Sequence, residues 1–145
     1  PSPPRGAPMS ALTDPGDVNY LAVTVAAVTR LPIAGLWHSP IMFGTYWERD
    51  VGLSAEQMRR RRLPALFVLA FATSLAGAFV LALLLGRDAG LAAGALAGLL
   101  TGLCVAAGAL LSSMAFEARP PRLIAIDVGF HTVVFTVIGA VIGAW

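Results

Sequence analysis

Four ionisable side chains set into apolar sequence carry whatever chemistry this chain has: Arg30, His38, Asp127 and His131. Asp127 and His131 stand four residues apart, so on a helix they share one face, one turn above the other. Held among Ile, Val, Phe and Gly, an acid and an imidazole must face protein, water or a ligand rather than hydrocarbon. The residue types allow several chemistries. His38, Asp127 and His131 are ligand types for zinc or iron. His131 can ligate a haem or chlorophyll-type pigment axially, and Asp127 with His131 can relay protons. No tight ligand motif joins them and no nucleophile and base pair is recognisable, so the expectation is a protein that is not an enzyme. The four residues then read as a structural polar cluster, with no metal, pigment or haem expected at His131 or His38.

The elements that must position them are apolar helices. The chain has 145 residues, of which 57% are hydrophobic and 12% charged, and its mean hydropathy is +0.78. That share of apolar residues exceeds an ordinary soluble domain. The expected fold class is all-α, an integral membrane bundle of four transmembrane helices in one domain, with spans at about 19–37, 64–85, 91–115 and 123–145. All ten basic residues are arginine and most flank these stretches, so the net charge of +2 marks topology and not nucleic-acid binding. Cys104 is the only cysteine; an internal disulfide is excluded, and mid-span it reads as a small packing residue.

Residues 1–16 are rich in proline, expected to be an irregular tail without signal-peptide features. Asp17 or Asn19 can cap the first span, and Pro32 inside it predicts a bend. Arg30 lies about 16 Å in from the outer end of that span, from 11 residues at 1.5 Å each, and is expected to pair with Asp127 on the fourth. Residues 37–50, with Trp37, Tyr46, Trp47, Glu48, Arg49 and Asp50, suggest a short interfacial segment in which Trp37, Tyr46 and Trp47 form an aromatic belt. Ser54 to Gln57 has capping-box spacing and should open a short helix. That helix carries Arg59, Arg60, Arg61 and Arg62, a cluster for topology or anionic lipid headgroups.

Gly90, Gly94, Gly98 and Gly102 recur every four residues in the third span, and Gly139 and Gly143 repeat the spacing in the fourth. Such ridges allow helix backbones to approach closely, within one bundle or between chains. Glu117, Arg119 and Arg122 form a charged turn around Pro120 and Pro121. The two loops containing Arg49, Arg59 to Arg62, Arg119 and Arg122 hold seven arginines against Arg5 and Arg87 on the other side, which places both termini outside the cytoplasm. Tyr20 and Trp145 would mark the outer belt.

The opening Asn19-Tyr20-Leu21-Ala22-Val23, the turn Gly35-Leu36-Trp37-His38-Ser39-Pro40 with Phe43-Gly44 and Trp47, and Gly52-Leu53 resemble the small bacterial membrane proteins grouped as domain of unknown function 1761. Phe116-Glu117-Ala118-Arg119, Ile124, Gly129-Phe130-His131 and the run from Gly139 to Trp145 agree with it. The resemblance covers about residues 19–145 and implies a four-span protein of the bacterial inner membrane with no established activity. The chain departs from the family's usual Tyr at His38 and its common Asn at Asp127. The functional expectation is a small non-enzymatic multi-pass protein in contact with membrane lipids. Its glycine-rich faces pack with itself or make it an accessory subunit of a larger membrane complex. The alternative is a small oligomeric transporter or channel with a polar path through Arg30, Asp127 and His131.

Overall fold

The computed structural model describes residues 13–54, 56–57, 60 and 63–145, and within these it is all-helical, with no strand. The helices are α1 (Tyr20–Trp37), α2 (Gly44–Val51), α3 (Leu63–Leu85), α4 (Leu91–Phe116) and α5 (Pro121–Ala144). Four of them, all but α2, are long and apolar enough to cross a membrane. Their bounds lie within two residues of the expected spans, because caps and breakers sit where helices must start or stop. Asn19 caps α1, its side chain accepting from the Leu21 and Ala22 amides at 3.1 Å each. Pro121 occupies the first turn of α5, where its missing N–H costs nothing.

Of the expected irregular tail, residues 1–12 lie outside the described residues; the Thr13 amide donates to the Leu83 carbonyl at 2.8 Å, and Asp14 caps a 3-10 turn at Pro15–Asp17. Of the expected arginine cluster, Arg59, Arg61 and Arg62 lie outside the described residues. The capping box forms, Ser54 N donating to Gln57 Oε1 at 2.8 Å and Gln57 N to Ser54 Oγ at 3.2 Å, and Arg60 pairs with Glu56 at 2.8 Å.

The hub is α5, which packs against α1, α2, α3 and α4. One side of it, Leu123, Ile126, Phe130, Val134, Ile138 and Ile142, is buried; Val23, Ala26 and Ala27 of α1 and Ala78 and Leu81 of α3 meet it in the core. Small residues on α1 and α3 let these helices lie close to the larger side chains of α5. Against α4 there is less room still. A Cβ on Gly94 would stand 2.2 Å from the Gly139 carbonyl oxygen, and one on Gly143 would stand 2.4 Å from that of Gly90. Gly102 likewise faces the Thr132 Cα, at 2.7 Å from an added Cβ. Gly94, Gly98 and Gly102 of the expected ridge therefore face α5 inside the chain, as do Gly139 and Gly143 in return, while Gly90, at the start of α4, is exposed. Within α4 a π-helical turn at Thr101–Ala106 interrupts the register, and Gly108 beyond it faces open space. Cys104, expected as a small packing residue, is exposed on the single chain.

The α4–α5 connection closes as a Schellman turn, Arg119 N donating to Met114 O and Ala118 N to Ala115 O, both at 3.0 Å. Ala118 holds φ = 53° there, a conformation that favours glycine. Ala118→Gly is expected to raise stability by about 1 kcal/mol, read as a higher thermal midpoint of the purified protein with unchanged oligomeric state.

Candidate functional site

The polar residues gather at the end of the bundle where α1 stops, α2 crosses and α5 begins. The chain leaves α1 at His38 and turns back tightly, with Gly44 N donating to Ser39 O at 2.9 Å. A Cβ on Gly44 would lie 2.2 Å from the His38 carbonyl oxygen, so the residue type there sets how close α2 can come. That approach brings Trp47 over the first turns of α5. Its indole N–H donates to Asp127 Oδ1 at 3.1 Å, while Trp37 donates to the Ile126 carbonyl at 3.2 Å. Besides the belt role expected of them, these two half-buried tryptophans tie the α1–α2 corner to α5, because each N–H finds an acceptor there. Tyr46 alone of the three is largely exposed.

Phe130 is the centre of the site. It is only 4% exposed, and its ring meets His38 and His131 edge-on, each at a centroid distance of 5.1 Å. The Arg30 guanidinium lies over it, 5.2 Å from the centroid. Both histidines hold a backbone carbonyl with Nδ1, His38 to Ala34 at 3.1 Å and His131 to Asp127 at 2.9 Å. A carbonyl only accepts, so both Nδ1 atoms carry protons. Among the described residues no partner occupies either Nε2, which in the neutral ring is a free acceptor.

The expected pairing of Arg30 with Asp127 does not form; among the described residues Arg30 has no carboxylate within 4.0 Å. Helix register explains why. Arg30 stands level with Phe130, about 4.5 Å deeper along α5 than Asp127 at 1.5 Å per residue, and Trp47 already holds the Asp127 carboxylate. The site is cationic at depth and acidic toward the α2 side. It brings together all four predicted residues, while the part that Phe130 and Trp47 play in positioning them was not read from the sequence, where Trp47 stood as a belt residue and Phe130 only within the family resemblance. No set of three His, Cys, Asp or Glu side chains among the described residues is arranged to hold a metal ion.

The charged turn splits in two. Arg119 pairs with Glu117 at 2.9 Å in an exposed contact, of the kind that contributes little to stability. Arg122 reaches instead to Asp50 of α2, its Nε donating to Oδ2 at 2.6 Å, in a two-pronged pair. This clamp holds α2 across α5. The hydrogen bond from Arg122, and after it the charges of Arg122 and Arg49, keep the Asp50 carboxyl below its ordinary value against an opposing push from burial. A carboxyl lowered in the folded state stabilises it above the unfolded value near about 4, and that contribution disappears as pH falls through the folded value. The thermal midpoint of Asp50→Asn is therefore expected to fall below that of the unaltered protein at pH 7, with the gap closing below about pH 4.

The model of one family, proteins of unknown function (DUF1761), matches residues 21–143. The chain belongs to that family. The match takes in Arg30, His38, Trp47, Asp127, Phe130 and His131 alike, so the whole site lies inside the DUF1761 region. No curated protein and no solved structure matches the chain.

Proposed function

We propose that this DUF1761 protein is a multi-pass integral membrane protein with a binding role and no catalytic one. In this reading it is an accessory subunit whose Arg30 receives an anionic group from another membrane component. The spanning part rests on four long apolar helices whose outward residues remain uncovered, among them Leu66, Phe67, Val68 and Leu69 of α3 and Leu96, Leu100 and Leu103 of α4. The arginine bias of seven to two favours both termini outside the cytoplasm and the Arg30 site at the inner end, in a bacterial inner membrane.

The observation that carries the binding role is the inward Arg30 with a phenyl face beneath it and, among the described residues, no carboxylate within 4.0 Å. A guanidinium in a low-dielectric interior is costly without a counter-charge, and a cation–π contact offsets only about 1 kcal/mol of that cost. A carboxylate or other anion from outside the chain would meet Arg30, with His131 within reach of the same charge. The transporter reading is less well supported. Beyond Phe130 the interior is filled by Val23, Ala26, Ala27, Val134, Ile138 and Ile142, none more than 7% exposed, so a polar path would have to run between chains.

The test is extraction from the native membrane in mild detergent, then native gel separation with mass spectrometry and an absorbance spectrum of the same band. The expected band is heavier than the 15.0 kDa chain, is colourless and contains a second component. A chain that runs alone throughout, with no retained anion, would overturn the binding role.

A further inference from the structure

The α2–α5 corner also carries a groove separate from the Arg30 site. It has a volume of about 440 Å³ and is lined by Trp37, Phe43, Tyr46, Ala125 and Ile126, with Arg122 at its rim. That volume is in the range of small-ligand sites, and its walls are rings and aliphatic groups. The charge at the rim is unbalanced. Arg49 and Arg122 both stack over Tyr46, at 5.7 and 5.1 Å, and Asp50 is the one acid shared between them, at 3.8 Å from Arg49 and 2.5 Å from Arg122. Asp50 bonds closely to Arg122, and its side chain is 7% exposed against 64% for Arg49. Arg49 does not itself line the groove but stacks on its Tyr46 wall, and it is the more exposed and more loosely paired of the two cations.

From this arrangement we propose that the groove is a binding site for an anionic glycerophospholipid, an acyl chain lying along Phe43, Ala125 and Ile126 and the phosphate meeting Arg49. The inference rests on the membrane-spanning reading above. Position favours a lipid: the groove runs along the side of α5 from its first turns, where a span passes from headgroups to acyl chains and where arginine and tyrosine place polar tips outward and apolar bodies inward. The net positive rim selects an anionic headgroup over a zwitterionic one. The groove does not depend on Arg30, whose guanidinium lies on the Phe130 ring.

The test is native mass spectrometry of the delipidated, detergent-purified full chain, titrated with phosphatidylglycerol or with phosphatidylcholine of the same acyl chains. Phosphatidylglycerol is expected to bind more tightly. Arg49→Gln, an exposed change that leaves the Arg122–Asp50 clamp in place, is expected to weaken it about fivefold, the loss of one basic contact at a lipid surface, and to leave phosphatidylcholine unchanged. Ala125→Trp, which fills the groove, is expected to weaken both. Equal affinity for the two lipids, unaltered phosphatidylglycerol binding in Arg49→Gln, or recovery of a bound peptide in place of lipid would each overturn the proposal. Release of the chain from native membranes by alkaline carbonate would overturn the spanning reading instead, whatever the lipid titration gives.

Discussion

Gly98→Ala is expected to separate α4 from α5 or to unfold the bundle, a loss of about 3 kcal/mol or more. The added Cβ would stand 2.1 Å from the Phe135 carbonyl oxygen and 2.8 Å from its carbon, and both neighbours are backbone in the middle of a helix. No side chain can rotate away, so the helices must part, and parting also undoes the Gly94 and Gly139 contacts on the same ridge. Gly108→Ala is the matched control, with the same change in the same helix. Nothing lies within 4 Å of an added Cβ there, and replacing a mid-helix glycine should stabilise by up to about 1 kcal/mol. Thermal midpoints of the two purified variants, with size-exclusion profiles, are expected to move in opposite directions. Equal midpoints would show that α4 and α5 do not touch along this ridge.

Arg30→Leu is expected to stabilise the purified chain by about 2 kcal/mol, the cost of placing a cation at span depth less the lost contact with Phe130. Most substitutions destabilise, so the sign is the informative part. An arginine serving the fold would be missed on removal; one without an acid partner is relieved by it. Leu keeps an apolar body against Phe130, which stays buried. Chemical or thermal unfolding in detergent reads the change, and a fall in stability would mean that Arg30 has an internal counter-charge after all.

The outline of this fold was legible because it depends on local signals. Asn19 before one apolar run and Pro120 and Pro121 ahead of another place helix ends with little help from tertiary structure. The glycine ridge was legible as close approach, yet its partner was not: spacing states that a backbone comes near, and only the register of Gly94 on Gly139 and Gly98 on Phe135 says that it is α5. The site was legible by residue type and not by connection. Arg30, Asp127 and His131 stood out because charge in apolar sequence is costly. Pairing the two opposite charges followed from spacing alone, and a single turn of register removed it. Trp47 to Asp127 and Arg122 to Asp50 join residues 80 and 72 apart. A tryptophan beside charged residues reads first as a belt residue, and no periodicity marks it as a donor to a carboxylate in another helix. Phe130 was hidden for the opposite reason, as one apolar residue among many.

The most direct measurement is the native mass of the protein extracted gently from its own membrane, compared between the unaltered chain and Arg30→Leu. The expected result is a larger assembly for the unaltered chain, and for Arg30→Leu a free chain that is folded, membrane-integrated and more stable than before. The same assembly in both would contradict a role for Arg30 as the receiving cation and would move the association to another face of the bundle.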